Sequence, residues 1–77
     1  MKKQEFLSIL AVEFNVSNDS LSETSVLEEI PGWDSMSILV IMSMVDERFG
    51  LILTANDFVE IKTIGELFTK IGPEHIK

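Results

Sequence analysis

Residues 33–50 read Trp33-Asp-Ser-Met-Ser-Ile-Leu-Val-Ile-Met-Ser-Met-Val-Asp-Glu-Arg-Phe-Gly50. Their periodicity predicts a helix over Ser35–Phe49, closed by Gly50, the residue best suited to a left-handed C-terminal turn. At 3.6 residues per turn, Ile38, Ile41, Met42, Val45 and Phe49 fall within an arc of roughly 100°, the expected core face. Met36, Val40 and Met44 form a second line at i, i+4 and i+8 on nearly the opposite side, flanked by Ser37, Ser43 and Glu47. Both lines cannot face one core. Either the helix is sandwiched, with Met44 the first of the second line to be covered, or that line is a docking face for a partner, with Met36 its most exposed member. Methionine suits docking because its unbranched thioether adapts to varied surfaces.

Working outward, Phe6, Ile9, Leu10 and Phe14 share one helical face and predict a helix over residues 3–14. Asn15 to Thr24 is polar and without period. It reads as part of a long loop pinned by Leu21, Val26, Leu27 and Ile30 and punctuated by Pro31-Gly32. Beyond Gly50, Thr54-Ala-Asn-Asp57 is a capping-box variant that starts a short helix running to about Ile61. Thr63-Ile-Gly-Glu66 is a better box and starts a last helix through Ile71, stopped by Gly72-Pro73. Leu51-Ile52-Leu53 favours β structure, but one isolated strand has nothing to pair with. The expected fold is all-α: a small four-helix bundle of three main helices plus a short third one. A long loop separates the first two helices, and residues 1–77 make a single domain.

Composition narrows the function. The 77 residues are 45% apolar, with 13 acids against six bases and a net charge of −7. No Lys or Arg lies between Gln4 and Glu47, against nine acids. This argues against nucleic acid and anionic membrane surfaces as partners. It is either a solvated acidic surface or a field that steers a basic partner towards the loop–helix junction. There is no cysteine, so neither a disulfide framework nor a thiolate metal site is available. The longest apolar run, Met36–Val45, is ten residues with two serines, far short of the ~20 a membrane span needs. Met1-Lys2-Lys3 ahead of Phe6–Val12 lacks a cleavage pattern, so no leader is expected and the protein reads as a soluble, cytoplasmic monomer. The only histidine, His75, lies in a tail expected to be solvated, and Lys2 and Lys3 read as solubilising residues. No Gly-rich phosphate loop, His-Cys cluster or Asp-x-Asp calcium loop is present, so no catalytic residue and no metal ligand is assigned.

The remaining candidate is the junction Trp33-Asp34-Ser35-Met36. Asp34 is a good N-cap for the amides of Met36 or Ser37, and Trp33 with Ile38 would form a hydrophobic staple. That alone accounts for the local pattern. The functional account is that Ser35 presents a primary hydroxyl at the positive end of a helix, a favourable place for a phosphate ester. In that case Asp34 could help place a cation or a basic modifying enzyme.

Ile30-Pro-Gly-Trp-Asp34-Ser35-Met36, a helix ending Asp46-Glu-Arg-Phe-Gly50, and the late Thr63-Ile-Gly-Glu-Leu67 resemble an acyl carrier protein over essentially the whole chain. The family's Asp-Ser-Leu hallmark reads Asp34-Ser35-Met36 here. The resemblance implies that Ser35 carries a 4′-phosphopantetheine arm, attached by a phosphopantetheinyl transferase. The arm's thiol would hold an acyl group as a thioester, so the chain itself catalyses nothing. A ligase or acyltransferase would load it, and downstream biosynthetic enzymes would take the cargo.

Housekeeping fatty-acid carriers of this family bear acids where this chain has Ser37 and Val40. Only Asp46 and Glu47 keep the acidic character, and Arg48 adds a base. A docking face of Met36, Ser37, Val40, Ser43, Asp46 and Glu47 would therefore favour apolar contact and a dedicated pathway. Three alternatives stay open: aminoacyl cargo, including the D-alanyl carriers of cell-envelope modification that also show Asp-Ser-Met; an unmodified scaffold; and, far behind, an enzyme. The resemblance further implies that an acyl chain can tuck between helices, near Ile41, Val45, Ile61 and Leu67. A close-packed core is the competing reading there. Ser35→Ala is expected to leave the fold nearly unchanged.

Overall fold

A computed structural model describes all residues from 1 to 77. Three α-helices form the frame: α1 (Lys3–Glu13), α2 (Ser37–Phe49) and α3 (Ile64–Ile71). The stretch expected as the short helix is a single 3₁₀ segment, Ala55–Val59. The long loop, expected to be without regular structure, contains two further 3₁₀ turns, Asn18–Ser20 and Leu27–Glu29. The all-α expectation holds, and Leu51–Leu53 forms no strand.

Helix α1 buries Phe6, Leu7, Leu10 and Ala11, while Ile9 and Phe14 are only half-buried. The buried stripe is thus rotated from the one expected. The end of α1 is sharp. Asn15 adopts φ 54°, the Val16 amide donates to the Ala11 carbonyl at 2.9 Å, and the Asn15 amide donates to Val12 at 3.2 Å. These bonds close a Schellman motif around a left-handed asparagine, one of the few non-glycine residues that tolerate that conformation.

The loop is held by side chains and by backbone. Leu21, Leu27 and Ile30 are buried; Val26, expected with them, is exposed. Three hydrogen bonds then stitch the loop to the start of α3: Leu27 amide to Lys62 carbonyl at 2.9 Å, Ile64 amide to Ser25 carbonyl at 3.1 Å, and Gly65 amide to Glu23 carbonyl at 2.8 Å. A Cβ on Gly65 would lie 3.0 Å from the Glu23 carbonyl oxygen, so the close approach depends on glycine. Lys3 adds an ion pair with Glu23 at 3.3 Å, a role beyond solubility.

Helix α2 starts at Ser37, two residues later than expected, and ends as expected. Gly50 has φ 67° and its amide donates to the Asp46 carbonyl. Thr63 caps α3 through the full box: its hydroxyl accepts from the Glu66 amide at 3.1 Å, and Glu66 accepts from the Thr63 amide at 3.0 Å. At the 3₁₀ segment, Asp57 accepts from the Thr54 amide at 2.8 Å and pairs with Lys70 at 3.3 Å. The Thr54 amide is the main reason that the Asp57 carboxyl sits below the usual aspartate range, and Lys70 lowers it further.

The core centres on Phe6, which stacks on Phe49 at 6.2 Å between ring centroids and meets Phe68 edge-on at 5.6 Å. The C-terminal tail joins this core rather than fraying. Ile76 is buried, the His75 ring lies 5.4 Å from Phe49, and the Met1 ammonium donates to the His75 carbonyl at 2.9 Å. His75 is therefore half-covered, because the tail pairs with the start of the chain.

Candidate functional site

The chain reaches α2 through a tight turn. Pro31 and Gly32 occupy its centre, Gly32 at φ 85°, and the Trp33 amide donates back to the Ile30 carbonyl at 3.0 Å. Proline followed by a glycine of positive φ is the pattern of a type II turn. The turn delivers Trp33 half-buried, its indole 5.6 Å from the Phe14 ring. Its aromatic partner is thus the end of α1, while Ile38, expected to staple it, lines the same small recess.

Asp34 and Ser37 then lock together. The Asp34 Oδ1 accepts from the Met36 amide at 2.9 Å and from the Ser37 hydroxyl at 3.3 Å. The Asp34 amide donates to Ser37 Oγ at 3.0 Å, and the Ser37 amide donates to the Asp34 carbonyl at 3.1 Å. The capping carboxylate is therefore present as expected, but it closes a turn ahead of the helix, and the first helical residue is Ser37. This corrects the place of Ser37 on the expected docking face: it is only 4% exposed. A polar residue lies inward here because both ends of its hydroxyl are satisfied by Asp34.

Ser35 sits on the outer side of this lock. It is exposed, and its hydroxyl makes no hydrogen bond within the chain. The amides of Ile38 and Leu39, in the first turn of α2, also have no acceptor within the chain. The site thus combines a free primary hydroxyl with free donors at the positive end of a 13-residue helix. A phosphodiester on that hydroxyl would meet favourable electrostatics without disturbing the core.

Along α2, Met36 is 60% exposed, Met44 is buried and Val40 is half-buried. Ser43, Asp46 and Glu47 are exposed. Leu39, not expected at the surface, is 49% exposed. Steps of four residues advance about 40° beyond a full turn, which carries Met44 into the core. Alternating steps of three and four keep Met36, Leu39, Ser43 and Asp46 on one outer face, and that alternation was the signal in the sequence. Ile38, Met42 and Phe49, expected in the core with Ile41 and Val45, are half-buried at its margin. Glu28, Glu29, Asp34, Asp46 and Glu47 form no ion pair within the chain, so their charge is available to a partner. No helix is long and apolar enough to cross a membrane.

The chain matches, over residues 4–71, the protein family described as "Phosphopantetheine attachment site". It is 31% identical over 70 residues to the acyl carrier protein MbtL of Mycolicibacterium paratuberculosis, an alignment covering 91% of this chain and 79% of that protein. No solved structure matches it.

Proposed function

The chain belongs to the phosphopantetheine-attachment family, non-catalytic acyl carrier proteins with a covalent 4′-phosphopantetheine arm, and from that premise we propose that the arm is carried by Ser35. The observation that supports this reading most directly is the exposed, unbonded Ser35 hydroxyl, held outside a turn that Asp34 and Ser37 rigidify. The arm supplies a thiol on which cargo is held as a thioester, which accounts for a carrier without cysteine.

Each residue at the junction then has a task. Ser35 provides the oxygen that forms the phosphodiester bond. The free amides of Ile38 and Leu39, with the α2 dipole, favour the negative charge of that diester. Asp34 holds the turn and presents the hydroxyl at a fixed angle. Ser37 anchors Asp34 and stays out of reach of partners. Incubation of the unmodified protein with coenzyme A and a broad-specificity phosphopantetheinyl transferase should add the mass of one arm, on the peptide containing Ser35. Ser35→Ala should reduce that gain to nothing while leaving the helical circular dichroism spectrum in place, since Asp34 still closes the turn. A mass gain that survives the substitution would overturn the assignment.

Carrier proteins of this kind work with phosphopantetheinyl transferases and biosynthetic enzymes. We further propose that this one serves a dedicated pathway, loaded by its own ligase or acyltransferase. What supports this is the Met36–Leu39 face, which offers apolar contact where a salt-bridged partner would need carboxylates; only Asp46 and Glu47, further along, are acidic. Exposed ion pairs are each worth about 0–1 kcal/mol, so a partner tuned to two such pairs would lose up to about 2 kcal/mol on this face. A general fatty-acid ketosynthase is therefore expected to use the loaded protein poorly in competition with its own carrier. Equal use of the two would end the dedicated-pathway reading.

A further inference from the structure

Ser37 is the only polar residue buried in the chain. Burying a hydroxyl is unfavourable unless it is bonded, and an alanine methyl would fill the same place without that penalty. Both hydrogen bonds of the hydroxyl go to Asp34: it accepts from the amide at 3.0 Å and donates to Oδ1 at 3.3 Å. The hydroxyl therefore serves the turn that carries Ser35 and not the core.

Those bonds decide how the chain winds into α2. They draw together residues three apart, the spacing of a 3₁₀ turn, and the Ser37 amide closes the same ring on the Asp34 carbonyl at 3.1 Å. Met36, between them, has ψ −18°, nearer the 3₁₀ range than the α value of about −42°. The α ladder begins only at the Val40 amide, which donates to the Met36 carbonyl at 3.1 Å. In an α-helical first turn the Ile38 amide would be taken by the Asp34 carbonyl and the Leu39 amide by the Ser35 carbonyl, each four residues back. Both amides stay free because the turn is wound more tightly.

We infer that Ser37 is a positioning residue for attachment of the arm: its hydroxyl holds residues 34–37 in the 3₁₀ form, which keeps Ser35 outside the helix and reserves the Ile38 and Leu39 amides for the phosphate. In that step Ser35 Oγ bonds to the pantetheine-bearing phosphorus of coenzyme A. The bond from that phosphorus to adenosine bisphosphate breaks, and the hydroxyl proton passes to a base of the transferase. The inference rests on Ser35 being the attachment point.

The test compares the unmodified wild type, Ser37→Ala and Ser37→Thr as acceptors of the arm from coenzyme A and a broad-specificity phosphopantetheinyl transferase. Ser37→Ala should lower kcat about tenfold, less than the ~100-fold that a displacement of 1 Å can cause. KM for the carrier should hardly change, because a residue 4% exposed offers a partner no surface. By NMR, attachment should move the Ile38 and Leu39 amides of the wild type and leave them nearly unmoved in Ser37→Ala, where the carbonyls behind have taken them. Ser37→Thr keeps the hydroxyl and should restore both readings. Wild-type kcat or wild-type amide shifts in Ser37→Ala, a loss confined to KM, or Ser37→Thr as slow as Ser37→Ala would overturn this inference and leave the Ser35 assignment intact. An arm found on another residue of the wild type would overturn both.

Discussion

Phe6→Ala is expected to bring the protein to the edge of unfolding. Phe6 has no solvent exposure and lies between two rings, Phe49 at the end of α2 and Phe68 in α3. Removing it deletes one side of both contacts, and the cavity cannot collapse without shifting all three helices. Phenylalanine-to-alanine changes in cores cost about 3–5 kcal/mol. A chain of 77 residues is stable by about 4–12 kcal/mol in total. The substitution therefore removes about a quarter of the stability at the least and all of it at the most. In urea, where small domains lose about 1 kcal/mol per molar, the midpoint should fall by about 3–5 M, or the protein should be unfolded in buffer. Val12→Ala on the same helix, at a position 80% exposed, is the control and should stay within about 0.5 kcal/mol. A loss under 1 kcal/mol for Phe6→Ala would mean that the three rings do not form one cluster.

The second large effect is expected at Leu27, a loop residue. Leu27 is 2% exposed and its amide donates to the Lys62 carbonyl. The connection between α1 and α2 is long, and ordering it costs conformational entropy that only a few buried side chains offset. Leu27→Ala should therefore cost about 2–5 kcal/mol, the range for leucine in a core. Part of the loss should appear as local opening. Hydrogen exchange at the amides of Leu27, Ile64 and Gly65, which form the seam between loop and α3, should quicken more than at Val45 in the middle of α2. Because the same loop delivers the Pro31-Gly32 turn, attachment of the arm should slow as well. Uniform quickening across all helices would show that the loop has no independent opening.

Much of this architecture could be read from residues close together in sequence. Gly50 and Gly72 end their helices where expected, and Thr63 with Glu66 marks the start of α3, because caps and stops are local chemistry. Ser35 falls at the junction ahead of α2 for the same reason: Gly32 and Asp34 fix the turn within three residues. Where the reading and the structure part, the cause is competition or distance. Asp34 had two donors within reach, the Met36 amide and the Ser37 hydroxyl, and taking both delays the helix by two residues. Ser37 reads as part of the docking face because it flanks the Met36–Val40 line, and nothing local shows that Asp34 will satisfy its hydroxyl and turn it inward. The 3₁₀ form of Ala55–Val59 rests on small differences in hydrogen-bond geometry. The seam between residues 23–27 and 62–65, and the pairing of the tail with Met1, join segments far apart in the chain, which no local pattern specifies.

Trp33 is the sole tryptophan, and there is no tyrosine. Its half-covered indole sits two residues before Ser35, against Phe14 and beside the small recess. Excited at the long-wavelength edge of aromatic absorption, where only indole absorbs, the protein emits from that single place. Arrival of the arm, entry of a cargo atom or loosening of the loop would each alter the indole's surroundings, so unlabelled fluorescence reads out this one turn while the remaining helices stay dark.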